Sequence, residues 1–515
     1  MNKSLFCIVT AAVSACAAGT TYYVDSEGGD DARDGKSAET AWKSLVKVNA
    51  APLAGGDVVR FHRGGLWRGT LVPKSGRPGR PVVYANYGTG VKPILQQSLD
   101  RSRPEDWFEE SPGLWSTQTS TVPHDVGIFI ANHGERWGVK KWRNPDWTVP
   151  KDAKWQRSVR LEKDLDFWYD DKGRRLVVKY PENPGKAFRS IELAMTRCVV
   201  NQGGRHDVVY DGLWVRYGAA HGFGGGSTSD IVIRNCDICW IGGGLQFWRR
   251  DAETKAILYP VRYGNGIEFW GNCRNCLVER CRLWEIYDAA VTNQGRDDAE
   301  TEVTWRDNVI WNSEYSYEYW NRRLTRNILF EHNTCVDAGR GWAHAQRPDP
   351  NGAHLMYYSN RAATTNFVVR DNVFCRATEW TARSGLDWRY GLVHDHNLVY
   401  NEGTVPVMRW LEGRTLKLCS WTDYRALGFD PHGLWAEPLF RNPAKRDYRL
   451  RAGSPGETLA SDGTAVGARN MPGLDGDQSA DGEHPLCYNN ADGGRGKCDG
   501  IGEGGAAGFP GGALR

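Results

Sequence analysis

Three carboxylates lie close together in the middle of the chain. Asp288 stands in the segment IYDAAVTNQG, and Glu314 and Glu318 stand in NSEYSYEYWNR. A glycosidase needs two carboxyl groups about 5 to 9.5 Å apart, one as the acid and one as the base or nucleophile. Like charges at such a distance raise the pKa of one group, which then stays protonated and can act as the acid. The residue types therefore suggest acid–base chemistry, provided that the fold brings the two segments side by side.

Residues that could bind a substrate surround these carboxylates in the sequence. Tryptophan offers a flat amphipathic face on which a sugar ring can stack. The segment HAQRPDPNGAH carries two His, an Arg and an Asp, more than a connecting loop usually needs, and loops often carry function. The candidate substrate-binding residues are His221, Trp320, Arg340, Trp342, His344, Arg347 and Asp349.

A repeated phrase indicates which elements position these residues. Between residues 208 and 400 a strand-like phrase of alternating apolar and polar residues recurs, as in VTWRDNVIW and ILFEHNTCV. Alternation with period 2 and β-branched or aromatic residues is typical of strands, and a spacing near 25 residues indicates one stacked unit per repeat. The central positions of the phrases are Gly212, Cys236, Cys281, Asn308, Asn333, Asn372 and Asn397. The pattern predicts an all-β parallel β-helix with an internal asparagine ladder.

The repeat also predicts where the carboxylates meet. Asp288 and Glu314 follow their ladder residues, Cys281 and Asn308, at nearly equal offsets in adjacent coils. Neighbouring coils of a β-helix are separated by about 4.8 Å. Their carboxyl groups should therefore come within roughly 5 to 9 Å, the range of a glycosidase pair. Glu318 is the alternative partner if Glu314 lies too far away.

The N-terminal residues and the composition indicate the cellular location and the partners. Residues 1–19 combine Lys3, a short apolar run and small residues, which predicts an export signal. Cleavage within Ala15-Cys16-Ala17 would give a soluble secreted or periplasmic protein, whereas a lipobox ending at Cys16 would anchor it at the outer cell surface. The net charge of +3 comes without long charge runs and predicts no nucleic-acid partner and no membrane contact beyond such an anchor. We expect a monomer.

Between the ends we expect one solenoid at about 20–470, closed at its start by an N-terminal cap. Residues 101–190 lack the repeat and indicate β-hairpins inserted between coils. Residues 471–515 are rich in Gly and Asp, which indicates a flexible tail. Cys236 and Cys281 occupy the ladder phase, so we expect packed thiols inside the solenoid rather than metal ligands.

Three blocks resemble a known family. The opening TYYVDSEGGDDARDGKSAETAWKSL, the block RGGLWRGTLVPKSGRPGRPVVYANYG and the closing YRLRAGSP…VGA are similar to the bacterial secreted right-handed parallel β-helix proteins of the pectate-lyase-like superfamily. The resemblance covers about residues 20 to 470. It implies a right-handed parallel β-helix that acts on a polysaccharide, but fold membership does not supply a mechanism.

Three functions remain open at this point. A glycoside hydrolase needs only the carboxylate pair. A polysaccharide lyase would abstract a proton beside a uronate carboxylate with an Arg or Lys base, with calcium or a basic residue neutralising the acid. A non-catalytic carbohydrate-binding solenoid is the third reading. We expect a hydrolase without a cofactor or metal, and calcium remains an open alternative.

Overall fold

The computed structural model describes residues 19–142, 160–295, 298–347, 350–359, 363–385, 391–403, 405–412 and 415–469. The predicted export signal, apart from Gly19, and the predicted tail lie outside the described residues. Among the described helices, none is long and apolar enough to cross a membrane.

Three long sheets, named A, B and C here, form the body of the protein. Sheet A contains ten parallel strands, at Thr21–Val24, Val58–His62, Val82–Tyr87, His206–Asp211, Ser229–Arg234, Cys273–Glu279, Glu300–Arg306, Thr325–Glu331, Thr364–Arg370 and Leu392–Asp395. Sheet B contains Leu66–Arg68, Ile94–Gln96, Ser98–Asp100, Val126–Ala131, Arg136–Trp137, Ile191–Met195, Trp214–Gly218, Asp237–Ile241, Arg282–Ile286, Val309–Trp311, Thr334–Ala338, Val373–Ala377, Leu398–Tyr400 and Leu434–Trp435. Sheet C contains Val200–Asn201, Phe223–Gly224, Ile267–Trp270, Ala289–Gln294, Tyr315–Trp320, Ala353–Ser359, Trp380–Ser384, Met408–Glu412 and Thr415–Cys419.

From His206 to Glu412 the chain visits the sheets in the order A, B, C in every coil, and each strand pairs in parallel with the same strand of the next coil. For example, Val278 pairs with Trp305, and Trp305 pairs with Phe330. Alternate side chains point inward, where they form one apolar cluster along the solenoid. The predicted all-β parallel β-helix is confirmed.

The asparagine ladder is confirmed as well. Asn308, Asn333, Asn372 and Asn397 are fully buried. The side-chain oxygen of each of the last three accepts hydrogen bonds from the backbone N–H and the Nδ2 of the preceding asparagine, at 2.8 to 3.1 Å. Beyond Asn397 the ladder ends on Asp430, whose Oδ1 accepts the same pair of bonds. A strand-disfavouring residue is thus tolerated because every amide is satisfied by the next coil.

A left-handed residue stands immediately before each ladder position from Cys236 to Asn397 and makes the corner between sheets A and B. These residues are Asn235, Arg280, Asp307, His332, Asp371 and His396, with φ between 50° and 58°. Positive φ is uncommon outside glycine and is found most often at Asn, Asp and His. The corner turns the next side chain into the solenoid, which is why the ladder recurs at one phase.

The N-terminal end of the solenoid is closed by a short helix at Leu45–Ala50, capped by the side chain of Ser44. Leu45 and Val48 of this helix are buried in the interior cluster. At the other end, the helix Trp421–Ala426 brings Tyr424 into the same cluster. Both helices bury apolar ends of the solenoid that would otherwise be open to other chains.

Insertions project from sheet B or from the corner between sheets B and C. The described residues of the region 101–190 form a mainly antiparallel sheet with its own apolar core and add strands to sheet B. A hairpin at 242–266 and a loop described at 339–347 and 350–352 occupy the same corner in later coils. The remaining elements are the strands Phe108–Ser111, Leu114–Ser116, Val139–Lys140, Asp166–Asp170, Arg175–Lys179, Gly244–Arg250, Ile257–Tyr263, Phe440–Asn442 and Asp447–Leu450, the helix Pro184–Ala187, and the 3-10 turns Pro104–Asp106, Asn132–Gly134, His344–Gln346 and Pro443–Lys445.

The described cysteines are all free thiols. Cys236 and Cys281 are fully buried within the interior cluster, as predicted. Burial raises the pKa of the Cys281 thiol well above its ordinary value, and the neighbouring Cys236 adds to the effect. Cys281 therefore behaves as a packed neutral side chain. That Cys236 and Cys281 bind no metal stays a prediction.

Candidate active site on sheet C

The outer face of sheet C carries a column of side chains at one register. Strand pairing aligns Glu268, Thr292, Glu318, Met356, Arg383 and Arg409 across six successive coils. Their neighbours Ile267, Val291, Tyr317, Leu355 and Ala382 belong to the interior cluster. Because side chains alternate along a strand, the column faces away from the core. The corner insertions stand at the edge where these strands begin.

Arg347, from the corner loop, connects two of the predicted carboxylates. Its Nη1 lies 3.0 Å from Oδ1 of Asp288, and its Nε lies 3.7 Å from Oε1 of Glu314. Nη1 also donates to the backbone carbonyl of Tyr287 at 2.9 Å. The distance between the carboxyl oxygens of Asp288 and Glu314 is therefore at most the sum of the two Arg347 contacts and the width of its guanidinium group. The structure thus brings Asp288 and Glu314 together on adjacent coils, as the repeat indicated.

Glu314, however, does not face a substrate. Its side chain is 0% exposed. Oε1 accepts a 2.6 Å bond from the backbone N–H of Asn351, and Oε2 lies 3.0 Å from Nδ1 of His344. A carboxylate bonded to Asn351 and His344 and ion-paired with Arg347 has no open side for proton transfer to a ligand. The structure therefore gives no support for Glu314 as the acid or the base and places it as a partner of His344 and Arg347.

Glu318 lies on the outward column and has the environment of a general acid. Burial raises the pKa of its carboxyl well above the ordinary value, and the charges of Asp288 and Glu268 raise it further against the opposing effect of Arg347. Among the described residues, no group donates a hydrogen bond to its Oε2. The result is a carboxyl group whose protonated form is favoured, beside Asp288, whose carboxylate is ion-paired with Arg347.

His221 enters the same site from an earlier coil. Its Nδ1 accepts a bond from the backbone N–H of Asn265 at 3.1 Å, so a neutral ring carries its proton on Nε2. That Nε2 lies 3.4 Å from Oε1 of Glu268. The other oxygen of Glu268 accepts from Nδ2 of Asn265 and Nε2 of Gln294. His221 thereby fixes a third carboxylate rather than standing alone in a groove.

Two predicted binding residues lie elsewhere. Trp342 is 1% exposed and packs between Trp240 and Tyr287, with its Nε1 bonded to the carbonyl of Glu285. It offers no ring face to a sugar, so the stacking expectation is wrong. Arg340 is exposed. Among the described residues it is ion-paired with Asp337 of sheet B rather than with Asp288, Glu314 or Glu318. Asp349 lies outside the described residues.

Trp320 keeps the position that a sugar platform needs. It ends a sheet C strand on the outward face and meets Trp270 edge-on, with ring centroids 6.0 Å apart. Trp270 is 36% exposed. The pair lies along the column from Glu268 and Glu318, two residues farther along each strand. An apolar wall with polar edges at this point suits a pyranose ring.

The inserted region holds the corner loop in place. Gln346 donates to the carbonyl of Gly138, and its Oε1 accepts from Nη1 of Arg262 at 3.3 Å. Arg262 and Arg347 both lie over the ring of Tyr287, at 4.5 and 5.0 Å. The inserted region, the corner hairpin and the corner loop thus share one network behind Asp288.

Sequence reasoning missed Glu268 and the arginines Arg383 and Arg409. The hairpin at 242–266 separates Glu268 from its ladder residue, so counting from Cys236 does not reach it. Only the strand register reveals that it stands in the column of Glu318.

The described site is a group of carboxylates on the outer face of a parallel β-helix, next to exposed aromatic rings. No family model matches the chain. A lacto-N-biosidase of Bifidobacterium longum subsp. longum is 39% identical over 84 residues, which is 15% of this chain and 5% of that protein. A solved glycoside hydrolase structure is 9% identical, with a TM-score of 0.46, and the match covers 76% of this chain and 95% of that one. The structure of pectate lyase Pel9A is 11% identical, with a TM-score of 0.45, and the match covers 88% of this chain and 97% of that one. The chain thus spans only a small part of its curated relative.

Proposed function

We propose that the protein is a glycoside hydrolase in which Glu318 is the general acid and Asp288 is the base or nucleophile. The observation that carries the proposal is the contrast between the two groups. Burial and the neighbouring carboxylates raise the pKa of Glu318, whereas Asp288 is ion-paired with Arg347. Two carboxyl groups in different protonation states on one face are what hydrolysis of a glycosidic bond requires.

We assign a role to each neighbour from its contacts. Glu318 would protonate the leaving glycosidic oxygen, and Asp288 would attack the anomeric carbon or activate a water molecule. Arg347 holds Asp288 in one orientation through two bonds, one to its carboxylate and one to the adjacent backbone carbonyl. Glu314 fixes Arg347 and His344 from behind. After burial and Asp288, the charge of Glu268 adds to the raised pKa of Glu318.

The substrate class rests on the surroundings of the carboxylates. Trp270 and Trp320 supply exposed or half-buried aromatic faces beside them. The relative with the local sequence match is named a lacto-N-biosidase, which is consistent with a saccharide substrate. We propose an oligosaccharide or polysaccharide outside the cytoplasm, in line with the predicted export signal.

The arginine of the site is unsuited to the lyase mechanism. Burial disfavours the charged form of Arg347, but the nearby Tyr315 and Asp288 outweigh this effect, and the pKa of the guanidinium is raised well above its usual value. An arginine that abstracts a proton must first be neutral. Arg347 is therefore a clamp for Asp288 and not a base.

The test is a screen of the full chain against plant, algal and animal glycans, with reducing ends and absorbance of unsaturated uronates followed in parallel. On an active substrate, Glu318→Gln and Asp288→Asn should each lower kcat by about 10² to 10⁴. Glu331→Gln is the matched control, because Glu331 is ion-paired with Arg370 on sheet A. Thermal melting of each variant shows whether the fold is intact.

Three outcomes would overturn the proposal. One is full activity of Glu318→Gln, and another is a product that absorbs as an unsaturated uronate. The third is absence of turnover on every glycan class. If hydrolysis is found, the anomeric configuration of the first product, read by NMR, shows whether Asp288 acts as nucleophile with retention or as base with inversion.

A further inference from the structure

Two arginines occupy adjacent positions farther along the outward column of sheet C. Arg383 and Arg409 pair in register on neighbouring strands. Both guanidinium groups lie over the ring of Trp380, at 5.9 and 5.4 Å from its centroid. Arg383 stands two strands beyond Glu318 in the same column, and Arg409 stands three beyond it. At about 4.8 Å per strand these separations are roughly 10 and 14 Å.

On sheets A and B several outward arginines are neutralised by an acid on the neighbouring coil. Four such pairs on sheets A and B are Arg282–Asp237, Arg306–Glu279, Arg370–Glu331 and Arg376–Asp337, at 2.6 to 2.8 Å. The same rule applied to sheet C would place an acid opposite Arg383 or Arg409. Instead, each of these arginines has the other as its register partner.

The charges of this pair are left uncompensated among the described residues. No ion pair with a described acid involves either side chain, and Nη1 of Arg383 is buried without a described hydrogen-bond acceptor. Burial lowers the pKa of Arg409, and the charge of Arg383 lowers it further. The charge of Arg383 lowers the pKa of Glu379, but burial raises that pKa by more. Holding two like charges together lowers the stability of the fold, and an anion from outside the chain would compensate them.

We infer that Arg383 and Arg409 form a subsite for an anionic sugar, with the carboxylate or sulfate ester between the guanidinium groups and the ring on Trp380. Guanidinium groups match the geometry of both anions and form charge-assisted bonds with them. The inference rests on the proposed function, since it assumes that the saccharide runs along sheet C from Glu318. It extends that function by naming an acidic glycan as the substrate class.

The first test measures binding without turnover, in the Glu318→Gln background. The probes are polygalacturonate and its methyl ester, together with a sulfated galactan and its desulfated form, in affinity electrophoresis. We expect tighter binding of the charged member of one pair, which identifies whether carboxylate or sulfate is recognised. Adding Arg383→Gln and Arg409→Gln should weaken that binding about 10- to 100-fold, as expected for the loss of charge-assisted bonds. Adding Arg370→Gln should leave it unchanged.

A second test uses inorganic sulfate and needs no glycan. Sulfate stabilises many proteins by exclusion from their surface, so the melting temperatures are compared with those in chloride at equal ionic strength. A specific site adds a saturable increase in the melting temperature of the wild-type protein that the Arg383→Gln/Arg409→Gln variant lacks. The Arg370→Gln variant should keep the increase. Without sulfate, Arg409→Gln should not lower the melting temperature, because it removes a repulsion.

The outcomes separate this inference from the proposed function. Equal binding of charged and neutralised polymers, or no binding together with no saturable sulfate effect, overturns the subsite. If Glu318→Gln remains fully active while the arginine variants lose the preference for anions, the catalytic assignment fails and the subsite stands. If Glu318→Gln is inactive and the anion preference is absent, the reverse holds.

Discussion

The acidic end of the asparagine ladder predicts an unusual dependence of stability on pH. Asp430 is 2% exposed and accepts two bonds from Asn397 at the position where another asparagine would continue the ladder. Burial raises the pKa of its carboxyl from 3.8 to about 7, against the effect of those two bonds. Its φ of 47° suits asparagine as well as aspartate. Asp430→Asn should therefore fit the site without strain.

The sign of the effect follows from the protonation states. Because the folded-state pKa is above the unfolded value, the folded protein binds more protons between about pH 4 and 7, and its stability falls as the pH rises through this window. A difference of about 3 pKa units corresponds to about 4 kcal/mol at pH 8. Near pH 4 the protonated Asp430 and an asparagine are almost equivalent. Asp430→Asn should thus be neutral at pH 4 and stabilise the protein by up to about 4 kcal/mol at pH 8.

The assay is chemical denaturation of the wild-type protein and the variant at a series of pH values, with the difference in unfolding free energy plotted against pH. Asp423→Asn is a control of opposite sign. Asp423 caps the helix Trp421–Ala426 with Ser420, and its hydrogen bonds lower its pKa. This variant should be less stable than the wild type at neutral pH and lose that deficit in acid. A difference for Asp430→Asn that does not change with pH would refute the reasoning.

Three further predictions concern buried polar groups. Asn333→Leu leaves the Asn308 N–H and the Trp305 carbonyl without their partners, so at about 1 to 3 kcal/mol each it should cost about 2 to 6 kcal/mol in denaturation; a loss under 1 kcal/mol would contradict the ladder's role. Glu314→Gln should lower kcat on an active glycan while KM changes little and the pH profile keeps the pKa of Glu318; an altered acid limb would show direct proton transfer instead. Lys140→Met should lower the free energy of unfolding by about 3 to 5 kcal/mol, because it leaves the carboxylate of Asp125 without its ion-pair partner. Adding Asp125→Asn should restore part of that loss. A double variant as unstable as Lys140→Met would show a packing effect instead.

The fold could be predicted because one local rule repeats in every coil. The ladder asparagines recur at a fixed phase, and period-2 alternation on both sides of them identifies the strands. The left-handed residues that make the corners were not foreseen. Arg280, for example, has φ of 52° in a region that arginine seldom occupies. Stacking of the neighbouring coils fixes that conformation, and the residue type alone does not signal it.

The site could be predicted only to the level of the corner. The offset from the ladder placed Asp288 and Glu314 on adjacent coils, and both contact Arg347. It could not distinguish an enclosed carboxylate from an outward one, because the offset does not show how the corner loop folds over its neighbours. Glu314 lies before the strand Tyr315–Trp320 and is bonded to Asn351 and His344 of that loop, whereas Glu318 lies within the strand and in the outward column. Trp342 was misjudged for the same reason, since the loop folds back onto Trp240.

Charge compensation distinguishes sheet C from the other faces of the solenoid. On sheets A and B several outward arginines are paired with an acid of the neighbouring coil, as Arg370 is with Glu331. On sheet C, acids accumulate near Glu318, and arginines accumulate two and three strands beyond it. Like charges on adjacent rungs destabilise a sheet, and in a stacked fold a single substitution on the next coil could neutralise them. These like charges are left on one face only, beside the aromatic rings and the corner insertions. Such a loss of stability is expected at a site whose ligand completes the charge pattern.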